Sequence, residues 1–492
     1  MLSGDVEKLY PSAKALVKDC VASRIHAKDA SLYDFSEEAR ACSEQYMGWT
    51  DLASNSPYSL RDIQNFADSI IAQGLKTVVL ILAEAKPETT LFVISSKSGG
   101  TIEPRLALRA VRDAVADRIS EEELVQHLVA ITDPGSMLER QAREEGWAAV
   151  FSGQHTVGGR FSALSVFGLL PAALVGIDLE EFMAHAIDAE RQCSEDAIDN
   201  PAIGLASFLY DNYLQGRNKF TFLTQKRGRV LGLWIEQLVA ESLGKDGQGI
   251  LPNIEVDSLL LKKDPGDRSA IVYLTRNDLW DERRNFEMSL SYIDPAIPRA
   301  NYKIDSVEEL AEHFVMWEYA IAMCGYLMKI CPFDQPDVAS AKAVVLDILK
   351  EGQPEPDFVQ DFIDEVHMGE VEVRLSPCFK DCTDVRSALR ALLGSIQPGD
   401  FFALNAFLPF TGEGRREALE TIRHGVAEKR GVVSCLEVGP RYLHSTGQLH
   451  KGGPNCGVFL ILSADELKDI PLKQEAESLG SLAKAQASGD LV

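Results

Sequence analysis

Five short segments gather residue types that bind anions or move protons. The run Ser95-Ser96-Lys97-Ser98-Gly99-Gly100-Thr101 follows an apolar stretch and precedes a helical one. It offers hydroxyls, an ammonium, backbone N–H groups left open by glycine and a helix N-terminus, the groups a phosphate monoester needs. The plainer reading of the same run is a Ser/Thr-capped helix after a flexible turn. Val157-Gly158-Gly159-Arg160-Phe161-Ser162 sets two glycines beside an arginine, so that backbone can approach a ligand while a fixed cation faces it. Its plainer reading is a turn with a surface arginine.

In Trp234-Ile235-Glu236-Gln237-Leu238-Val239-Ala240-Glu241-Ser242-Leu243-Gly244-Lys245, helical spacing puts Gln237, Glu241 and Lys245 on one stripe. That stripe is either a solvated face with a Glu241–Lys245 pair or a carboxylate base with an amide beside it. Phe333-Asp334-Gln335-Pro336-Asp337-Val338 opens a helix capped by Asp334, with Gln335 and Lys342 two turns apart on one face. Leu443-His444-Ser445-Thr446-Gly447-Gln448-Leu449-His450-Lys451-Gly452-Gly453 is a polar, glycine-rich loop between two apolar strands, a place where function concentrates. A zinc site from His444, His450 and Cys456 has no standard ligand spacing, and no metal is expected. Cys378 and Cys382 read as plain thiols.

The elements that must carry these segments alternate. Strands are expected at 77–82, 91–94, 128–132 and 148–151, with a helix opening near Pro104. The pattern recurs with strand 219–224, helix 227–245 and strand 270–275, and again with strands 432–438 and 458–462. Strand-helix alternation of this kind builds a parallel α/β sheet. Helices at 307–330 and 335–351 precede Gly352-Gln353-Pro354-Glu355-Pro356-Asp357, the best linker in the chain. The expected division is 1–165, 166–352 and 353–492, the last ending in a polar tail that reads as short of a closing strand. Only Ala83–Thr90 separates the first two strands, whereas parallel neighbours need a crossover of a dozen or more residues. Either the two are antiparallel or a unit is missing.

The 492 residues suffice for about three domains. An apolar fraction of 46% excludes disorder and fibrous repeats. With 49 basic against 74 acidic residues, the net charge of −25 repels nucleic acid and anionic lipid, so neither is an expected partner. Nine scattered cysteines point to free thiols and a cytoplasmic setting. Residues 1–19 lack a signal-peptide core, and the apolar stretch 161–179, broken by Pro171, reads as a buried helix.

In this order, the segments SSKSGGT, VGGRFS, QLVAESLGK and FDQPDV resemble phosphoglucose isomerase over residues 40–350. The C-terminal block GPRYLHSTGQLHKGGPNCGVF is similar to the isomerase half of transaldolase–isomerase fusion proteins. The resemblance implies an α/β fold of two sugar-isomerase (SIS) parallel-sheet domains with flavodoxin-like layering, plus a C-terminal α/β unit. It implies a glucose-6-phosphate isomerase of glycolysis and gluconeogenesis, acting on a sugar phosphate as a homodimer with no cofactor. Ser96, Lys97, Ser98 and Thr101 would then hold the phosphate, and Gly159 and Arg160 would face the reacting carbons. Glu241 would be the base, and Gln237, Gln335 and Lys342 would line the sugar.

Three departures accompany the resemblance. The family's Gly-Gly-Ser loop and its βα unit read as deleted after Leu82. The family's ring-opening histidine has no counterpart before the FDQP block except His313, which lies in an apolar helical pattern; His444 is preferred as its substitute over His450. Asp337 and Ala339 replace the family's usual glycine and acidic residue. The missing loop motivates the alternative of a catalytically impaired sugar-phosphate-binding SIS protein.

Overall fold

Continuous apolar runs become the strands buried on both faces, as parallel sheets require. The computed structural model describes residues 10–72, 77–78, 86–255, 258–276, 280–338, 363–368, 371–376, 379, 382, 384–408, 414–464 and 485–487. Contacts group the chain into two units: Met1–Tyr210 with Ile304–Phe333 and Ile470–Leu479, and Asp211–Lys303 with Asp334–Asp469 and Gly480–Val492.

In the first unit, β1 (Thr77–Val78), β2 (Thr90–Ser95), β3 (Leu128–Thr132) and β4 (Ala149–Ser152) form a sheet in that order. Every neighbour pair is parallel, including Thr77 opposite Thr90. The antiparallel alternative for the first two strands is therefore wrong. Residues 79–89 alone connect them, and 79–85, which include the point after Leu82 where the βα unit reads as deleted, lie outside the described residues. Helices Ile102–Val115 and Met137–Glu145 cross over between the later strands. Phe92, Leu108, Val111, Leu128, Leu138 and Trp147 pack beneath them as one core. A Ser136 hydroxyl caps Met137–Glu145 by accepting from the Glu139 N–H, and Gly146 ends it at φ +71°.

The apolar stretch 161–179 holds a shorter helix than the sequence suggested, Val166–Leu174. His313 is buried in the helix Leu310–Met328, as its apolar neighbours implied. Among the described residues no helix is long and apolar enough to cross a membrane.

The second unit holds two parallel arrays and a hairpin. β5 (Lys219–Thr224), β6 (Leu251–Glu255), β7 (Arg268–Thr275) and β8 (Arg299–Ile304) are ordered β6-β5-β7-β8, with β5 parallel to both neighbours. β9 (Ile363–Met368) and β10 (Val371–Leu375) form an antiparallel hairpin. β11 (Phe401–Phe407), β12 (Val433–Val438) and β13 (Gly457–Ser463) form a parallel sheet with β11 central. The helix Arg229–Leu243 crosses from β5 to β6. Its Ala240 shares a core with Leu251, Phe401, Val433 and Leu449, which seats the C-terminal sheet against this helix.

Candidate active site

The first set of groups sits where β2 gives way to the helix Ile102–Val115. The loop is braced from one side only. The Ser96 N–H donates to the Ile131 carbonyl at 3.0 Å, and the Lys97 carbonyl accepts from the Asp133 N–H at 2.9 Å. A Cβ at Gly99, which adopts φ +66°, would come within 2.8 Å of Ser136, so this position needs glycine twice over. The other side is open: Ser98 and Gly100 are exposed. Thr101 occupies the N-cap position, yet its hydroxyl makes no capping bond, and the Ser96 hydroxyl has no partner among the described residues. The plainer reading of this run as a Ser/Thr-capped helix is thus not what the structure has. The Thr101 hydroxyl at the helix N-terminus, which the fold does not use, is available to an anion, whereas the Ser96 hydroxyl is buried.

Lys97 is half-buried and paired. Its ammonium pairs with Asp133 Oδ2 at 2.5 Å, and His155 Nδ1 lies 3.2 Å from the same oxygen. An anion on the loop meets a lysine already oriented by a carboxylate that is 5% exposed. Asp133 had no signal in the sequence.

Arg160 lies in the short turn Gly159–Phe161 and is 4% exposed, so the surface-arginine reading fails. Its Nη2 donates to the Pro332 carbonyl at 2.6 Å, and its guanidinium stands 5.7 Å from the Phe161 ring centre. Phe161 stacks on Trp49 at 4.9 Å and meets Phe333 edge-on, an aromatic wall that fixes the turn. A Cβ at Gly159 would meet nothing within 4 Å, leaving open space beside Arg160.

The second set is on the helix Arg229–Leu243. Gln237 Nε2 donates to Glu241 Oε2 at 3.1 Å, the contact that i,i+4 spacing predicts. Glu241 is 9% and Lys245 3% exposed, which overturns the solvated-stripe reading. Lys245 Nζ binds Asp334 twice, at Oδ1 (2.5 Å) and at the carbonyl (2.7 Å). Asp334 thus ties down the chain just before Gln335, which is half-buried. Lys342 lies outside the described residues.

The polar loop folds as a short turn Arg441–His444 and a helix Gly447–Gly452. His444 ends the turn and is half-buried. His450 has its ring between Phe401 and Phe459, and burial pushes its imidazole down to about 3, which holds it neutral. Among the described residues His444, His450 and Cys456 form no ligand cluster.

Beneath the loop, two acids were not foreseen. Glu236 Oε1 lies 3.5 Å from Arg441 Nη2 and accepts from the Ser445 hydroxyl at 3.4 Å. Burial pushes its carboxyl up to about 7, against the pull of Arg441. Glu437, at the end of β12, is raised by burial and then by the charge of Glu236.

The first unit, with an oriented lysine and an unused hydroxyl at a helix N-terminus, is equipped to hold a small anion, and the second unit holds a buried carboxylate backed by an amide, features of an α/β enzyme. Residues 57–256 match the family model of phosphoglucose isomerase. A glucose-6-phosphate isomerase of Mycoplasmopsis pulmonis (strain UAB CTIP) is 31% identical over 327 residues, covering 58% of this chain and 75% of that protein. The chain belongs to the phosphoglucose isomerase family.

A glucose-6-phosphate isomerase of Synechococcus sp. (strain JA-3-3Ab) is 39% identical over 241 residues, covering 48% of this chain and only 44% of that protein. Among solved structures, a hypothetical protein from Thermus thermophilus shares the fold, with a TM-score of 0.56 at 21% identity over 69% of this chain and 97% of that one. The family match contains Ser96 through Glu241 and ends before Gln335, Lys342 and His444.

Proposed function

We propose that this chain interconverts glucose 6-phosphate and fructose 6-phosphate by moving a proton between C2 and C1 through an enediol intermediate. The observation that carries the reading is Glu241, a buried carboxylate held by the Gln237 amide within the segment that matches the family. A carbon-bound proton beside a carbonyl needs a base fixed over the C1–C2 face, and a carboxylate held by a neighbouring amide N–H meets that need.

The remaining roles follow from the chemistry of each group. Ser96, Lys97, Ser98 and Thr101 grip the phosphate, whose binding energy positions the reacting end. Arg160 stabilises the enediolate as charge develops, with Gly159 leaving room for the sugar. Gln237 and Gln335 line the sugar. Lys342 lines it with them, and His444 serves ring opening; His450, stacked and neutral, is the poorer choice. The redox change is internal to the substrate, so the reaction calls for no cofactor. The C-terminal block is of the type carried by the isomerase half of transaldolase fusions, and a cytoplasmic homodimer is the natural setting.

No observation favours the impaired-binder alternative: every residue assigned a role is present, and Glu241 is held in place. The test supplies the purified chain with fructose 6-phosphate in D2O and no added cofactor, followed by NMR. Glucose 6-phosphate with deuterium appearing at C2 is expected; no glucose 6-phosphate would contradict the reading.

A further inference from the structure

The loop Leu443–Gly453 contributes one residue, His444, to the roles above, yet Gln448, one of its two polar side chains at 0% exposure, is used by none of them. The Gln448 amide uses every hydrogen-bonding position it has. Oε1 accepts from the backbone N–H groups of Asp337 at 3.1 Å and Val338 at 3.2 Å. Nε2 donates to the Gly244 carbonyl at 3.1 Å and to Asp337 Oδ2. Two acceptor and two donor bonds satisfy a carboxamide completely.

The partners are informative. Gly244 is the residue that ends the helix presenting Gln237 and Glu241. Asp337 and Val338 lie in the helical residues 336–338, immediately after Gln335. One side chain therefore spans from the end of the carboxylate helix to the turn that carries Gln335. There is no slack around it: a Cβ at Gly244 would overlap Leu449, and one at Gly452 would overlap the Asp337 carboxylate. The Gly247 N–H adds a bond to the Gly452 carbonyl at 2.9 Å. The Gln448 amide thus supplies a donor to the half-buried Asp337 carboxylate.

We propose that Gln448 and Asp337 are positioning residues for the isomerisation, tying the turn that presents Gln335 to the end of the helix that presents Glu241. This rests on the function proposed above. Neither residue touches substrate; both act by setting where Glu241 and Gln335 stand, and a displacement of about 1 Å at such a group costs up to about 10²-fold in rate.

The test is a double-variant cycle read by kcat and KM, with a thermal melt of each protein. Gln448→Glu removes both donors and sets a second carboxylate against Asp337. It is expected to lower kcat by about 10-fold or more while changing KM less. Adding Asp337→Asn restores an amide facing a carboxylate with donor and acceptor exchanged, and is expected to recover most of the lost kcat; a merely structural pair would not produce that split with rescue. Should Gln448→Glu not melt cooperatively, Asp337→Ala carries the test, with kcat lowered severalfold. A Gln448→Glu or Asp337→Ala protein that keeps kcat within about twofold of wild type overturns the proposal. So does a double variant no faster than a folded Gln448→Glu protein. Wild-type chain without turnover would overturn the functional reading and this role with it, whereas wild-type turnover retained by the variants overturns the role alone.

Discussion

The loop Ser96–Thr101 and the helix Arg229–Leu243 both follow a strand of a parallel sheet, and they treat their polar groups in opposite ways. In the loop, the Thr101 hydroxyl does not cap its helix, the Ser96 hydroxyl has no partner among the described residues, and Ser98 is exposed. On and around the helix the polar groups are buried or half-buried and bonded: Gln237 to Glu241, Lys245 to Asp334, Gln448 to Gly244 and Asp337. On the proposed function, exposed groups that grip a remote phosphate, such as Ser98, can stay unpaired until the ligand arrives, because water serves them meanwhile. A group that abstracts a proton must already stand in place, since misplacement is charged to the rate. On the proposed function, the loop serves affinity and the helix turnover.

That contrast makes graded predictions. Arg160→Leu removes the cation that the proposed function assigns to the enediolate and is expected to lower kcat by about 10²-fold or more, with a smaller change in KM. A loss confined to KM would move Arg160 to the binding side of the comparison. Thr101→Val is expected to raise KM by about 10-fold, as loss of a bond to a charged ligand does, while leaving kcat near wild type. Its melt should hardly shift, since no cap is lost; a destabilisation of about 1 kcal/mol would mean the hydroxyl caps the helix after all.

Glu236→Gln separates the two acids of the helix. The folded carboxyl titrates near 7, above the ordinary value of 4.5, because burial opposes its charge. Its stabilising effect is fully present below about pH 4.5 and is lost as pH rises through 7. Wild-type Tm should fall between pH 5 and 8, and Glu236→Gln should flatten that fall while Glu437 keeps part of it. Turnover is expected to stay within a fewfold of wild type. Melting curves at four pH values decide it; parallel curves for the two proteins would remove Glu236 from the titration.

Much of this was legible in one sequence. β3 coincides with the run LVAIT because a strand covered on both faces is continuously apolar, whereas β5, KFTFLT, is buried throughout although Lys and Thr alternate with its apolar residues. The relation between β1 and β2 was not legible, since the crossover rule assumes a helix between parallel neighbours and this connection is shorter. Helical spacing placed Gln237 and Glu241 together, but spacing cannot say whether a stripe faces water or a neighbouring sheet. Burial of Lys245 on Asp334 and of Ala240 against Phe401 is decided by segments far along the chain. Gln448 and Asp337 stand 111 residues apart, so no local pattern joins them. Asp133 was invisible for the same reason: its link to Lys97 crosses between two strands.

The central claim is that grip and proton transfer are separate, and Glu241→Gln tests it most directly. Turnover of fructose 6-phosphate and the Tm shift produced by the same sugar would be measured on wild type and variant. The account predicts turnover lowered by about 10³-fold with the ligand-induced Tm shift retained. Turnover equal to wild type would contradict it.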